Sequence, residues 1–191
     1  PDGLESIGEG LFNGCSSLEY IYVPNTITSI GANAFSGCSS LTEIEFQDAG
    51  TTAETSKALV FEDVATGSGS SVSGCDSLKE ITFPNRDVVI GKQAFFRSSI
   101  EKVTFGKGNL TLSEQSFAES ANLKTVVFDD ETMIAVIPTK AFAYAGIEEI
   151  VLPETLKEIQ TSAFGRTKIK ELVIPKSVET IGEMKGNNGA F

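Results

Sequence analysis

No histidine and no tryptophan occur anywhere in the 191 residues. Without His the chain lacks the commonest general base, the commonest metal ligand and every His-dependent catalytic triad. Cysteine is limited to three residues, too few to fill a four-ligand zinc site when no imidazole can complete it. No apolar run approaches the roughly 20 residues that carry a helix across a bilayer, so membrane insertion by this segment is not expected. Positive charge is also short, with 15 Lys and Arg against 26 Asp and Glu and a net charge of −11. A nucleic-acid partner is excluded on that ground, because binding it requires a basic stripe that displaces counterions from phosphates. The glycine-rich GxGxxG and P-loop patterns and the GxSxG elbow are absent, so no nucleotide cofactor and no serine nucleophile are indicated. The chain is therefore expected to be non-enzymatic, with no cofactor and no metal.

What is present is a folded-protein composition with internal repetition. Hydrophobic residues make up 40% and charged residues 21%, enough to build a core. The unit is clearest from Ile30 to Phe46, IGANAFSGCSSLTEIEF. Phenylalanine recurs at Phe12, Phe35, Phe95, Phe117, Phe142, Phe164 and Phe191, with Val72 in the equivalent place of one repeat. Most steps are 22 to 25 residues, the length of one leucine-rich-repeat coil. Five residues before the Phe runs a second column, Ile7, Ile30, Ile90, Leu112, Ile137 and Ile159. After the Phe comes an LxxIxF pattern, as in Leu41, Ile44, Phe46 and Leu78, Ile81, Phe83, that occurs seven times. Its last two apolar members are two apart and so share one face of a strand.

One repeat cannot bury its own apolar face, and stacking neighbours supplies the missing cover. The pattern predicts seven parallel strands in a β-dominated coil with brief helical or 3₁₀ corners. Pro24, Pro84, Pro153 and Pro175 follow the strands directly, where a residue without an N–H ends pairing. Gly8, Gly31, Gly91 and Gly182 follow the Ile column and are expected to supply backbone freedom there. Pro138 at the same place in one repeat means that left-handed dihedrals are not obligatory.

The phrases GANAFSGCSSLTEIEF, IGEGLFNGCSSLEYIYVP and IQTSAFGRTKIKELVIP resemble the BspA-type leucine-rich repeat. The resemblance covers almost the whole chain and implies a leucine-rich-repeat solenoid of about seven to eight repeats, forming one domain over residues 1–191. It also implies a secreted or cell-surface protein linked to adhesion and host contact, and it brings no catalytic residues. The implied partner is a protein or glycan, on a host surface or in matrix, and a monomer is expected. Because the chain opens at Pro1, inside a repeat and without an initiator Met or signal peptide, it reads as a segment of a longer protein.

Several features invite a functional reading beside a structural one. Residues 47–71 exceed the normal spacing and end in the flexible Gly67-Ser68-Gly69-Ser70-Ser71, so an insertion that bulges from the coil is expected, either a tolerated loop or a contact loop. The stretch 183–189 widens the last spacing similarly. Cys15, Cys38 and Cys75 hold one place in successive repeats; buried free thiols are favoured, with a disulfide and a metal site as open alternatives. Asp129-Asp130-Glu131 lacks the ligand spacing of a calcium loop and is expected to be a solvated turn. The candidate binding face is the outward column Tyr22, Glu45, Thr82, Thr104, Val127, Val151 and Val173, with Tyr20 beside it. Thr and Val are good strand formers and need no further reason to be there, yet exposed aromatic and apolar rows also anchor protein partners. Two functions compete: an adhesion-type interaction module, and a structural spacer or stalk that presents another domain.

Overall fold

The computed structural model describes residues 3–48 and 57–182. Phe191, the stretch 183–189 and residues 49–56 of the expected insertion lie outside these. Among the described residues the chain forms β1 (Ser6–Ile7), β2 (Tyr20–Val23), β3 (Ser29–Ile30), β4 (Glu43–Phe46), β5 (Leu59–Phe61), β6 (Glu80–Thr82) and β7 (Val88–Ile90). There follow β8 (Lys102–Phe105), β9 (Gly108–Leu112), β10 (Thr125–Phe128), β11 (Thr132–Met133), β12 (Val136–Ile137), β13 (Glu158–Ile159) and β14 (Thr180–Ile181). Every strand pairing is parallel, as expected when each coil repeats the path of the one before it.

Each coil has three sides. The first carries the Ile column, in a sheet ordered β1-β3-β5-β7-β9-β11 and, separately, in a second ordered β12-β13-β14. The sequence reading placed only a bend here; the structure corrects it to a second parallel sheet, whose strands of two to five residues are too brief to show a clear period. The second side carries the LxxIxF strands, ordered β2-β4 and, separately, β10-β8-β6. Only five of the seven expected strands form, because the segments around Val151 and Val173 carry no ladder.

The third side is a ladder of turns around the Phe column. The Phe12 N–H donates to Ala34 O at 2.8 Å, Phe35 to Ser71 O at 3.0 Å, Phe95 to Ser116 O at 2.9 Å, Phe117 to Ala141 O at 2.8 Å and Phe142 to Ala163 O at 2.9 Å. Two residues before and after the Phe the backbone is left-handed, at Asn33 and Gly37, Gln93 and Arg97, Gln115 and Glu119, and Lys140 and Tyr144. That alternation turns every second N–H toward the next coil. The expected helical or 3₁₀ corners do not occur among the described residues, and this hydrogen-bonded turn stands in their place.

The Phe rings stack inside: Phe12 on Phe35 at 5.7 Å, Phe95 on Phe117 at 5.0 Å, Phe117 on Phe142 at 5.6 Å and Phe142 on Phe164 at 5.7 Å. Val72 is buried in the same column but is too small to span it. Phe61 fills the space, 5.0 Å from Phe95. It sits in register with Ile30 and Ile90, so the coil that lacks an Ile at the usual place gains a larger residue there.

The 47–71 stretch therefore does not leave the coil in one piece. Its centre is β5, with Leu59 and Phe61 fully buried. The surplus divides in two: 15 positions separate Phe46 from Phe61 where 7 separate Val23 from Ile30, and 11 separate Phe61 from Val72 where 5 separate Ile30 from Phe35. Arg86, buried just after β6, reaches back two coils and donates to the carbonyls of Asn25 and Ile27, each at 2.8 Å. Burial lowers the proton affinity of its guanidinium, and the two carbonyls are its hydrogen-bond partners.

The glycines after the Ile column act through space rather than through dihedral freedom. None of Gly8, Gly31, Gly91 and Gly182 has a positive φ. A Cβ on Gly31 would fall on the backbone at Glu9, one on Gly91 on Phe61 O, and one on Gly182 on the backbone at Thr161. Gly8, in the first coil, has open space at that point.

Candidate binding face

The outward residues of the second side come together only in blocks. In the first, β2 pairs with β4 and sets Tyr20 against Glu43 and Tyr22 against Glu45. Both tyrosines are about half exposed, at 47% and 46%, and the Tyr20 hydroxyl donates to Glu45 Oε2 at 2.5 Å. That hydrogen bond to a carboxylate, with the neighbouring negative charge, pushes the phenol up to about 12. The phenol therefore remains neutral and the ring stays pinned across two coils. In the second block, Thr82, Thr104 and Val127 lie side by side across β6, β8 and β10. Val151 and Val173 form a third group, 86% and 84% exposed where Val127 is 39%.

Two clefts open on this side, one between the first two blocks and one inside the third. Between β4 and β6 the ladder is interrupted, and a cleft of about 530 Å³ opens that is lined by Glu43, Glu45, Asp48, Glu80 and Thr82. Its floor shows the opening: Phe46 and Phe83 stand 6.1 Å apart, against 5.1 Å for Phe83 and Phe105 beneath paired strands. Asp48, just after β4, accepts from the backbone N–H of Asn85, just after β6, at 2.8 Å and from its side-chain amide at 2.9 Å. The second cleft, of about 980 Å³, lies between the coils that carry Val151 and Val173. The sequence supplied the outward columns but gave no sign of the clefts, which depend on the path of the chain between strands.

The cysteine column has a structural explanation. All three thiols are free; Cys38 and Cys75 are buried, whereas Cys15 is exposed. Cys38 donates to Phe12 O at 3.1 Å and Cys75 to Phe35 O at 3.0 Å, each in the preceding coil. Ser120 makes the same contact with Phe95 O at 2.9 Å. The position thus calls for a small donor that satisfies a buried carbonyl. Burial, the leading cause, raises both buried thiols, Cys75 to about 12. Asp129 Oδ1 accepts the Glu131 N–H at 3.0 Å within its own turn, and Glu131 pairs with Lys107 at 2.6 Å. Among the described residues no three His, Cys, Asp or Glu side chains converge as metal ligands, and no helix is long and apolar enough to cross a membrane.

A three-sided parallel coil with a shared Phe core defines the chain as a leucine-rich-repeat solenoid. It belongs to the BspA-type leucine-rich repeat family: the description "BspA type Leucine rich repeat region" matches residues 1–63 and 68–185 in six copies. The fold is similar to the crystal structure of a leucine-rich repeat protein from Bacteroides ovatus ATCC 8483, with a TM-score of 0.56 and 23% identity. The similarity covers 92% of this chain and 48% of that one, so the chain spans about half the length of the solved structure it matches. No curated protein matches the sequence. The family implies a protein-interaction repeat module, is typically surface-associated, and its repeats are typically non-enzymatic.

Proposed function

We propose that the chain is an adhesion-type interaction module of a secreted or cell-surface protein, and that its ligand is a protein or glycan on host or neighbouring cells. The observation that carries this reading is the exposure of Tyr20 and Tyr22, with Val127, Val151 and Val173, on the outward side of stacked strands. The half-exposed Tyr20 ring, held by the Glu45 carboxylate, and the Tyr22 ring beside it bring large contact area at little entropic cost. Glu45, Thr82 and Thr104 supply polar contacts between the apolar positions.

Binding of the purified chain to immobilised matrix proteins and glycans tests this. Tyr20→Ala combined with Tyr22→Ala is expected to weaken capture at least tenfold while leaving the unfolding midpoint within a small shift. No capture at low salt, or capture that ignores both tyrosines and Val127→Ala, would favour the spacer or stalk reading.

A further inference from the structure

The cleft between the coils of Val151 and Val173 differs from the one between β4 and β6, whose two strands are each still paired on their other side. On the first side these coils are closed, with β12, β13 and β14 in one ladder. On the third side they are closed too, by the Tyr144 N–H to Gly165 O bond at 2.8 Å and by the Phe142 and Phe164 rings. On the second side the last backbone bonds between them are Lys168 N–H to Ile147 O at 2.9 Å and Lys170 N–H to Glu148 O at 3.4 Å. Beyond these, 149–152 and 171–174 make no backbone hydrogen bond among the described residues. Among the described residues, two neighbouring segments thus leave their N–H and C=O groups without backbone partners at the same place.

The side chains around this opening have one character. Val151 and Val173 are the most exposed large apolar residues described, and they flank the cleft with Glu148, Glu149, Glu154 and Glu171 against the single Lys170. Free backbone groups at a strand position pair with an incoming extended chain, and alternate side chains of that chain then meet the surface. Four carboxylates and one ammonium select positive charge in that chain. We infer that this cleft docks an extended peptide segment with Lys or Arg at alternate positions, joined to the coil by backbone hydrogen bonds and seated on Val151 and Val173. The inference rests on the reading of the chain as a protein-binding module and names the partner class for one part of its face.

The test uses the full chain and three fluorescein-labelled ten-residue peptides, read by fluorescence anisotropy: alternating Lys and Val, the same peptide N-methylated at every second amide, and alternating Glu and Val. The Lys–Val peptide is expected to bind saturably and to weaken as salt rises. N-methylation and the Glu–Val sequence should each cost at least tenfold. The double variant Glu149→Lys, Glu171→Lys changes exposed residues only and should weaken binding at least tenfold with an unchanged circular-dichroism spectrum. Absence of saturable binding overturns the inference, as does binding that survives N-methylation or charge reversal. A chain that is captured by matrix through Tyr20 and Tyr22 yet ignores the peptide refutes this inference alone. Saturable peptide binding without matrix capture upholds it and counts against the adhesion reading.

Discussion

Phe117→Ala is the most informative single perturbation of the fold. Phe117 is fully buried and lies between Phe95 at 5.0 Å and Phe142 at 5.6 Å, with Phe105 edge-on at 6.0 Å. Truncating a buried Phe costs about 3–5 kcal/mol, because the lost transfer energy adds to that of an incompletely filled cavity. Three ring contacts disappear together, so the upper half of that range is expected here. Phe12 is the control. It is only half-buried and has one ring neighbour, Phe35, so Phe12→Ala should cost about 1–2 kcal/mol. Equilibrium unfolding in urea measures both, with the slope compared as well as the midpoint, since a repeat array split at its centre can lose cooperativity. Equal costs for the two variants, or a loss below about 1 kcal/mol for Phe117→Ala, would refute the shared core.

Three further outcomes follow from particular contacts. Gly31→Ala should destabilise by several kcal/mol through a clash with the Glu9 backbone, whereas Gly8→Ala, which meets open space, should be nearly neutral; thermal melting separates them. Arg86→Lys cannot reproduce the two-pronged contact with Asn25 and Ile27 and should cost about 1–3 kcal/mol in the same urea assay. The raised Cys75 thiol keeps its proton in the folded state after the unfolded chain has ionised. Its stabilising contribution is therefore full below about pH 9 and falls by up to about 1.4 kcal/mol per pH unit toward pH 12. The stability gap between the parent chain and Cys75→Ser should shrink over that window, and a native-state thiol titration should modify Cys15 alone.

How much of this was legible in the sequence depended on whether a feature repeats locally or arises between coils. The Phe spacing and the LxxIxF pattern are local and strongly apolar, so the parallel solenoid follows from them. The first-side strands escaped notice because a pair such as Ser29–Ile30 has no period of its own and is held by its neighbours. Gly31 was visible as a recurring glycine, but its reason is the approach of the coil beneath. The same holds for Cys38 and Cys75, whose acceptors lie one coil back, and for Arg86, which spans two. Tyr20 and Tyr22 could be placed on the outward side from alternation alone. The clefts beside Glu45 and Val151 could not, because a break in pairing depends on backbone paths that side-chain patterns do not record.

The central claim is that, among the described residues, the third side is bonded from coil to coil and the first side is paired from β1 to β11 and again from β12 to β14, while the second side opens between β4 and β6 and beyond β10. Residue-resolved amide hydrogen exchange tests it directly. The account predicts strong protection at Gly31, Phe35, Gly91, Phe117 and Phe142, whose N–H groups bond to adjacent coils, and rapid exchange at Val151 and Val173. Protection of Val151 and Val173 equal to that of Phe117, or rapid exchange at Phe35 and Phe142, would contradict it.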